Sequence, residues 1–126
     1  MANVSFGGHS KFSALSSDRD RIRKFYCDVL GCNMTKKSNQ VDYFKMGNDC
    51  FIAALYEDTV LSDSDLLKSI WLEIKARNAD DMKRKILAFG VKEIETWDKA
   101  HLYFQAPGGQ VFRLVGDGED LSRFEG

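Results

Sequence analysis

Apolar residues recur at helical spacing in one segment of the first half of the chain, residues 19–30. They follow the i, i+3, i+4, i+7, i+8 pattern of a helix with one buried face: Ile22, Phe25, Tyr26, Val29 and Leu30. Ser17 or Asp18 stands where an N-terminal capping residue is expected, and Gly31 stands where a left-handed C-terminal residue is expected. The pattern predicts an amphipathic helix that ends at Leu30.

A second segment, residues 79–89, has the same character in the second half of the chain. Its apolar positions again lie on one helical face: Ala79, Met82, Ile86 and Phe89. Asn78 precedes this segment as a candidate cap, and Gly90 follows it as a terminator. The pattern predicts a second amphipathic helix.

Most of the remaining apolar residues alternate with polar ones or form short runs, as strand residues do. Strands are predicted at 10–16, 34–37, 41–46, 51–56, 69–77, 92–95, 101–105 and 111–115. Three of the intervening segments carry turn residues: 38–40 (Ser-Asn-Gln), 47–49 (Gly-Asn-Asp) and 106–109 (Ala-Pro-Gly-Gly). We therefore expect a hairpin at each of these segments.

The two halves of the chain repeat each other in the order strand, helix, strand, strand, strand. The candidate caps Asp18 and Asn78 are 60 residues apart, and Gly31 and Gly90 are 59 apart. Duplicated units of this kind usually pack together. The prediction is a single α+β domain over 1–126. Its two βαβββ modules, at about 9–57 and 69–116, form a curved mixed sheet around a central cavity, with an acidic linker at about 58–68.

Composition narrows the class of protein and its location. The 126 residues are 44% hydrophobic and 29% charged, which is typical of a folded domain. The net charge of -1 lacks the basic field that supports nucleic-acid binding, so no nucleic-acid partner is expected. No apolar run is long enough for a membrane span. The three cysteines, an odd number, predict free thiols and a cytoplasmic protein.

Two motifs resemble those of a known family. Residues 21–31 (Arg-Ile-Arg-Lys-Phe-Tyr-Cys-Asp-Val-Leu-Gly), preceded by Asp18, resemble the motif that opens the βαβββ module of the vicinal oxygen chelate superfamily. Residues 106–114 (Ala-Pro-Gly-Gly-Gln-Val-Phe-Arg-Leu) are similar to its closing hairpin. The superfamily includes glyoxalase I, extradiol dioxygenases, and fosfomycin- and bleomycin-resistance proteins. The resemblance covers about residues 9–116 and implies a U-shaped sheet around one site, in a homodimer.

The resemblance also places four metal-ligand positions, which the metal-bearing members fill with His, Gln or Glu. They fall on Lys11, on about Ala53, on Trp71 and on Arg113. The lysine and arginine side chains offer no lone pair at neutral pH, alanine has no ligand atom, and the indole only donates. The two positive charges would also repel a divalent ion. We therefore predict no metal at this position and no cofactor.

The two histidines give little support to another metal or catalytic site. His9 lies two residues before Lys11, on the same face of a continuous strand, and with Glu73 it would form a displaced metal site. We favour the alternative of a histidine at the strand end or surface. His101 starts a predicted strand, and no neighbour in the sequence is identified as orienting it, so a solvated side chain is expected.

The same alignment points Lys11 and Arg113 into the cavity. Aromatic side chains are expected around them: Trp71, Tyr43 and Tyr103. A cationic pair beside aromatic surface suits a planar or anionic small molecule. In the alternative interpretation, Glu73 neutralises Lys11 or Arg113 in an internal ion pair, because buried charges are normally paired.

The sequence gives no indication that the cysteines are catalytic groups. Cys27 lies beside the apolar stripe of the first helix and Cys50 opens a strand, and neither has a neighbour that would activate its thiol. Cys27 is expected to act as a small buried side chain.

Three hypotheses of function follow. The first is a protein of bleomycin-resistance type that binds a small organic ligand between its modules without the family metal. Its ligand-binding set is Lys11, Trp71, Arg113, Glu73, Tyr43 and Tyr103, and no catalytic residue is identified. The alternative is a metal-dependent lyase, isomerase or dioxygenase with a displaced metal site. The third hypothesis is a protein-interaction module.

Overall fold

The computed structural model describes residues 2–122, and its first sheet is built from the first half of the chain. Four strands form this sheet: β1 (His9–Leu15), β2 (Asn33–Lys37), β3 (Val41–Lys45) and β4 (Phe51–Glu57). Their order across the sheet is β1-β4-β3-β2. Strand β1 is parallel to β4, and the other neighbouring pairs are antiparallel.

The second sheet repeats this topology. It contains β5 (Trp71–Ala76), β6 (Lys92–Ile94), β7 (Leu102–Gln105) and β8 (Val111–Gly116). Their order is β5-β8-β7-β6, with β5 parallel to β8. The predicted α+β architecture of two βαβββ modules is confirmed, with strand ends within two residues of their expected positions. The two sheets remain separate and do not close into a barrel.

The first helical segment is less regular than its apolar pattern suggests. A 3-10 turn, Ser16–Asp18, leads directly into helix α1 (Arg19–Arg23), which continues as a π-helical segment, Lys24–Val29. Asp18 makes no side-chain capping bond. The reason is that the preceding turn already holds Asp18 in a helical conformation, whereas a capping residue is normally extended.

The linker between the modules contains a short helix, α2 (Asp63–Leu66). The Ser62 side chain accepts a hydrogen bond from the Asp65 N–H and caps it. Gln105 Nε2 donates to the Asp63 carbonyl at 2.9 Å. The linker is therefore hydrogen-bonded to the end of β7.

Helix α3 (Ala79–Phe89) has the bounds that its pattern predicts. The Asn78 side chain accepts a hydrogen bond from the Asp81 N–H at 3.0 Å, and Gly90 ends the helix with a φ of 96°. A residue with a side chain adopts such a left-handed conformation only at a cost, so glycine suits this position. Within residues 2–122, no helix is long and apolar enough to cross a membrane.

The two modules share one aromatic core on the helical side of the sheets. The Phe25 ring lies 5.4 Å from Phe89 and 5.8 Å from Phe104, and Tyr26 lies 6.2 Å from Phe112. These distances are typical of contacting aromatic pairs. Residues of the first helical segment therefore fill the space between the two halves of the molecule.

The strand register differs between the modules by two residues. In the first sheet His9 is level with Phe51, and in the second Trp71 is level with Val111. The first strands are thus 62 residues apart in register, while the last strands are 60 apart. The two additional residues of the first module lie between β1 and its helix, where the chain forms the 3-10 turn. As a result Glu73, and not Trp71 as the family resemblance implied, is the counterpart of Lys11.

Candidate functional site

All six predicted ligand-binding residues lie on the sheet faces that point away from the shared core. Phe12 and Ala14 of β1 are core residues, so alternation along the strand places Lys11 on the opposite face. Phe112 in β8 places Arg113 in the same way. The same alternation applies to the other four: Tyr43, Trp71, Glu73 and Tyr103.

Arg113 is the centre of a compact cluster on the second sheet. Its Nε donates to Glu73 Oε2 at 3.0 Å, and its Nη2 donates to the same oxygen. The guanidinium carbon lies 4.5 Å from the ring centre of Trp71, which meets Tyr103 edge-on at 5.6 Å. Arg113 is 8% exposed, whereas Trp71 is 45% exposed. The internal ion pair considered from the sequence is therefore present, and Arg113 is its cation.

Lys11 has different surroundings in the first sheet. It is level with Ala53, which is level with Tyr43. Its Nζ donates to Ser13 Oγ at 2.9 Å. Among the residues that the structure describes, Lys11 makes no ion pair with a carboxylate. The hydrogen bonds thus hold Lys11 within the first sheet and Arg113 within the second, and do not join them as a pair.

His101 is not a solvated side chain, contrary to the expectation from the sequence. Its Nδ1 lies 2.8 Å from Asp98 Oδ2 and its Nε2 lies 2.5 Å from Glu119 Oε2. Only 4% of the side chain is exposed. Asp98, three residues earlier, was the available signal in the sequence. Glu119 lies beyond the last predicted strand, so no local pattern could have identified it.

Both ring nitrogens of His101 face carboxylates, and an ionised carboxylate only accepts hydrogen bonds. Both nitrogens must therefore donate, which requires the protonated imidazolium. Burial by itself lowers the pKa of His101, but the hydrogen bonds to Glu119 and Asp98 outweigh it and raise that pKa above its ordinary value. The result is a buried positive charge between two negative ones.

The described residues line at least two cavities between the modules. The larger, of about 590 Å³, is bounded by β1, the linker and the start of the second module. Its polar lining includes Lys11, Glu57 and Gln110, and its apolar lining includes Leu61, Leu66 and Ile70. The smaller, of about 480 Å³, lies between the β3–β4 hairpin and β5, with Glu73 in its wall. The six predicted residues therefore do not line one common cavity: Lys11 lines the first and Glu73 the second.

The four positions that the family resemblance assigns to metal ligands do not supply a ligand set. The strand register makes Lys11 level with Ala53 in the first sheet and Glu73 level with Arg113 in the second. Glu73, which the register puts in the place that the resemblance assigned to Trp71, has the one carboxylate of this corrected set, and that carboxylate accepts hydrogen bonds from Arg113. A divalent ion needs several oxygen, nitrogen or sulfur donors that converge on it. These residues do not fit such an ion.

The displaced metal site considered from the sequence is not assembled either. His9 stacks on Phe51 with ring centres 5.0 Å apart, in the first sheet, while Glu73 binds Arg113 in the second. Within residues 2–122, no group of three or more His, Cys, Asp or Glu side chains is arranged to hold a metal ion.

The cysteines are free thiols, and none of the described features activates them. Burial raises the pKa of Cys32 to about 12, and it also raises the pKa of Cys27, which is partly buried as a small side chain. A thiol that stays protonated is a poor nucleophile and a poor metal ligand.

No protein-family model and no curated protein matches the sequence. Solved structures do match the fold. The fosfomycin resistance protein FosX from Mesorhizobium loti superposes with a TM-score of 0.68 at 16% identity, covering 99% of this chain and 100% of the other. A FosX variant from Listeria monocytogenes, in complex with Mn(II) and dihydroxypropylphosphonic acid, gives 0.69 at 18% identity, covering 97% and 99%. A glyoxalase-related enzyme from Fulvimarina pelagi gives 0.67 at 13% identity, covering 91% and 90%.

These matches extend over nearly the full length of each chain and include both modules. At such low identity they describe the fold and not the activity, since one fold supports many functions. Together with the duplicated sheet topology, they show that this chain has the two-module fold of the vicinal oxygen chelate superfamily.

Proposed function

We propose that the protein binds a small organic anion in the larger cavity between its modules, through Lys11 and without the family metal. The observation that carries the proposal is the position of Lys11, a cation that makes no ion pair among the described residues and lines a cavity of about 590 Å³. Ligand cavities of small molecules are commonly of this size, with a few polar groups on an apolar wall.

The cavity wall supports an anion with an apolar body. Leu61, Leu66 and Ile70 offer apolar surface, and Ile70 and Leu61 are themselves largely exposed. Gln110 adds an amide whose nitrogen already donates to the Val111 carbonyl at 2.8 Å. A ligand carboxylate or phosphonate near Lys11 would form a charge-assisted hydrogen bond, which is stronger than a neutral one.

The other five predicted ligand contacts have a weaker basis than Lys11. Arg113 and Glu73 neutralise each other, so Arg113 is less available to an anion than the sequence suggested. Trp71 keeps an exposed ring beside that ion pair and is the best candidate to stack on a planar group. Tyr43 and Tyr103 remain proposed contacts on the same side of the sheets.

The absence of a fitting ligand set supports sequestration over metal-dependent catalysis. The FosX variant from Listeria monocytogenes is described with Mn(II) and a phosphonic acid. In this chain, Lys11 and Arg113 stand at two of the corresponding strand positions that the family resemblance identifies. We propose that a positive side chain here takes over the neutralisation of an anionic ligand that a metal ion provides elsewhere.

Isothermal titration calorimetry with benzoate, phenylphosphonate and the neutral analogue benzamide tests the proposal. The wild-type protein is expected to bind an anionic probe more tightly than benzamide. Lys11→Gln removes the positive charge and leaves a polar side chain that is one atom shorter, and we expect it to weaken anion binding at least tenfold, about 1.4 kcal/mol. Lys92→Gln, an exposed lysine on β6, serves as the matched control and is expected to bind like the wild type.

Equal affinity of the Lys11→Gln and wild-type proteins for every anionic probe contradicts the proposal. Elemental analysis of the purified protein provides an independent check. A stoichiometric content of Mn, Fe, Ni or Zn, together with loss of binding on chelation, would favour the metal-dependent enzyme instead.

Assembly and location also remain proposals. We infer a homodimer from the family resemblance and from the exposed apolar side chains Ile70 and Leu61. We infer a cytoplasmic location from the three free cysteines, because thiols persist in reducing compartments.

A further inference from the structure

The Glu119 carboxylate is held at one end of the second sheet by two donors. Its Oε1 accepts a hydrogen bond from the Gly116 N–H at 2.9 Å, and its Oε2 lies 2.5 Å from His101 Nε2. His101 immediately precedes β7 and Gly116 ends β8, and the pairing of Leu102 with Leu114 makes them near neighbours. Both oxygens of the Glu119 carboxylate therefore contact donors at this end of the second sheet.

The donors are fixed independently of Glu119. Asp98 Oδ2 lies 2.8 Å from His101 Nδ1 and accepts a hydrogen bond from the Tyr103 hydroxyl at 3.1 Å. Asp98 Oδ1 accepts one from the Ala100 N–H at 3.0 Å. The Asp98 side chain is fully buried. This network orients the imidazolium and keeps its Nε2–H pointing outward whatever group occupies the other side.

The carboxylate in the site is more exposed than the residues that bind it, and the Glu119 N–H also donates to the Gly116 carbonyl at 3.1 Å. The Glu119 side chain is 36% exposed and belongs to the segment that follows β8. Gly118, immediately before it, has a φ of 77° and open space around it. A change of backbone conformation at Gly118 would move Glu119 at the cost of the hydrogen bond from its N–H to the Gly116 carbonyl.

We propose that His101 and the Gly116 N–H form a binding site for the carboxylate of a small monocarboxylic acid, and that Glu119 fills this site when no ligand is bound. A free ligand must compete with a tethered carboxylate, which has a high effective concentration. Binding is therefore weak until Glu119 is displaced or removed.

The ionisation of Glu119 supports this role. The Gly116 N–H and His101 hold the pKa of Glu119 below its usual range, so the group is charged at neutral pH, as a ligand carboxylate would be. The site thus already accommodates the anion that we expect it to take from solution.

Titration with acetate, followed by NMR of the Gly116 amide and the His101 ring, tests the proposal. Glu119→Ala empties the site, and we expect saturable shifts of both signals with an affinity at least tenfold higher than in the wild type. Glu119→Gln retains the acceptor for the Gly116 N–H, and an intermediate affinity is expected. Glu95→Ala, which removes an exposed carboxylate elsewhere in the second module, is the matched control and is expected to behave like the wild type.

Failure of both Glu119 variants to show saturable shifts, in spectra that are otherwise folded, overturns the proposal. Equal shifts with chloride also overturn it, since a single spherical ion does not reproduce the two-oxygen contact. If Glu119→Ala does not fold, the Glu119→Gln titration decides alone. In the double variant His101→Gln, Glu119→Ala, acetate binding is expected to be lost.

This site is separate from the cavity of Lys11, since neither His101 nor Gly116 lines that cavity. The two proposals are therefore independent. Loss of anion binding in Lys11→Gln leaves the Gly116 and His101 signals unaffected, and the reverse holds for the Glu119 variants.

Discussion

Lys11 and Arg113 carry the same charge, yet their neighbours give them different properties. Arg113 is buried and its charge is balanced by Glu73, whereas Lys11 is exposed and, within residues 2–122, hydrogen-bonds to a neutral hydroxyl and to no carboxylate. A buried charge without a partner is costly, so the ion pair of Arg113 is the condition for its burial. The sequence could place both cations on the correct faces but could not show that only one of them has a carboxylate partner.

The buried His101 makes stability depend on pH. Because its pKa is raised in the folded protein, its contribution to stability is fully present below the unfolded value of about 6.5 and is lost as the pH rises through the folded value. The pKa values of Asp98 and Glu119 are lowered, so their contribution is present above about pH 4 and disappears in acid. Tyr103 and Arg113 face the same cluster and keep their charge states across this window.

We therefore expect His101→Gln to lower the melting temperature more at pH 6 than at pH 9. Thermal unfolding followed by circular dichroism at both pH values measures the difference. His9→Gln is the control, since His9 stacks on Phe51 and has no carboxylate partner in the described part of the chain. An equal loss of stability at the two pH values in His101→Gln would show that the imidazolium is not stabilising.

Among the elements, the turn between β7 and β8 connects the modules most directly. Gly108 has a φ of 89°, and a Cβ built on it would lie 2.7 Å from Phe12 and 3.0 Å from Ile22, both in the first module. The sequence predicted this turn from its Pro-Gly-Gly motif, since glycine supplies the positive φ. It gave no sign that the turn packs against the other half of the chain.

Gly108→Ala is expected to destabilise the protein more than Gly47→Ala. Both glycines have positive φ, so both substitutions carry a backbone cost of about 1–2 kcal/mol. Only Gly108 is also crowded, and overpacking adds about 1–3 kcal/mol. Urea denaturation gives the two free energies of unfolding, and equal values would mean that Phe12 and Ile22 move aside freely.

At the scale of the whole molecule, the fold was predictable and the site was not. Helical stripes, capping residues and turns are local signals, and they gave both modules with small errors at the strand ends. The candidate sites depend on long-range features. The two-residue shift of β5 brings Glu73 to Arg113, and the segment after β8 brings Glu119 to His101. Neither contact produces a periodic pattern of residues from which it could be predicted.

We expect sedimentation at micromolar concentration to give the mass of a dimer. Exposed apolar residues near the linker, among them Ile70 at 70%, are the candidate contact surface. Ile70→Glu is expected to shift the protein toward the monomer, while Val4→Glu, at another exposed apolar residue, is expected to leave the mass unchanged. A monomeric wild-type protein contradicts the expectation.

The aromatic core that Phe25 shares with Phe89 and Phe104 has a consequence for folding. Although the chain is an internal duplication, part of the aromatic surface of each half is buried against the other half. Unfolding should then be a single cooperative transition with no populated state in which one module is native. The strand topology repeats in each module, but the two modules are expected to fold and unfold together.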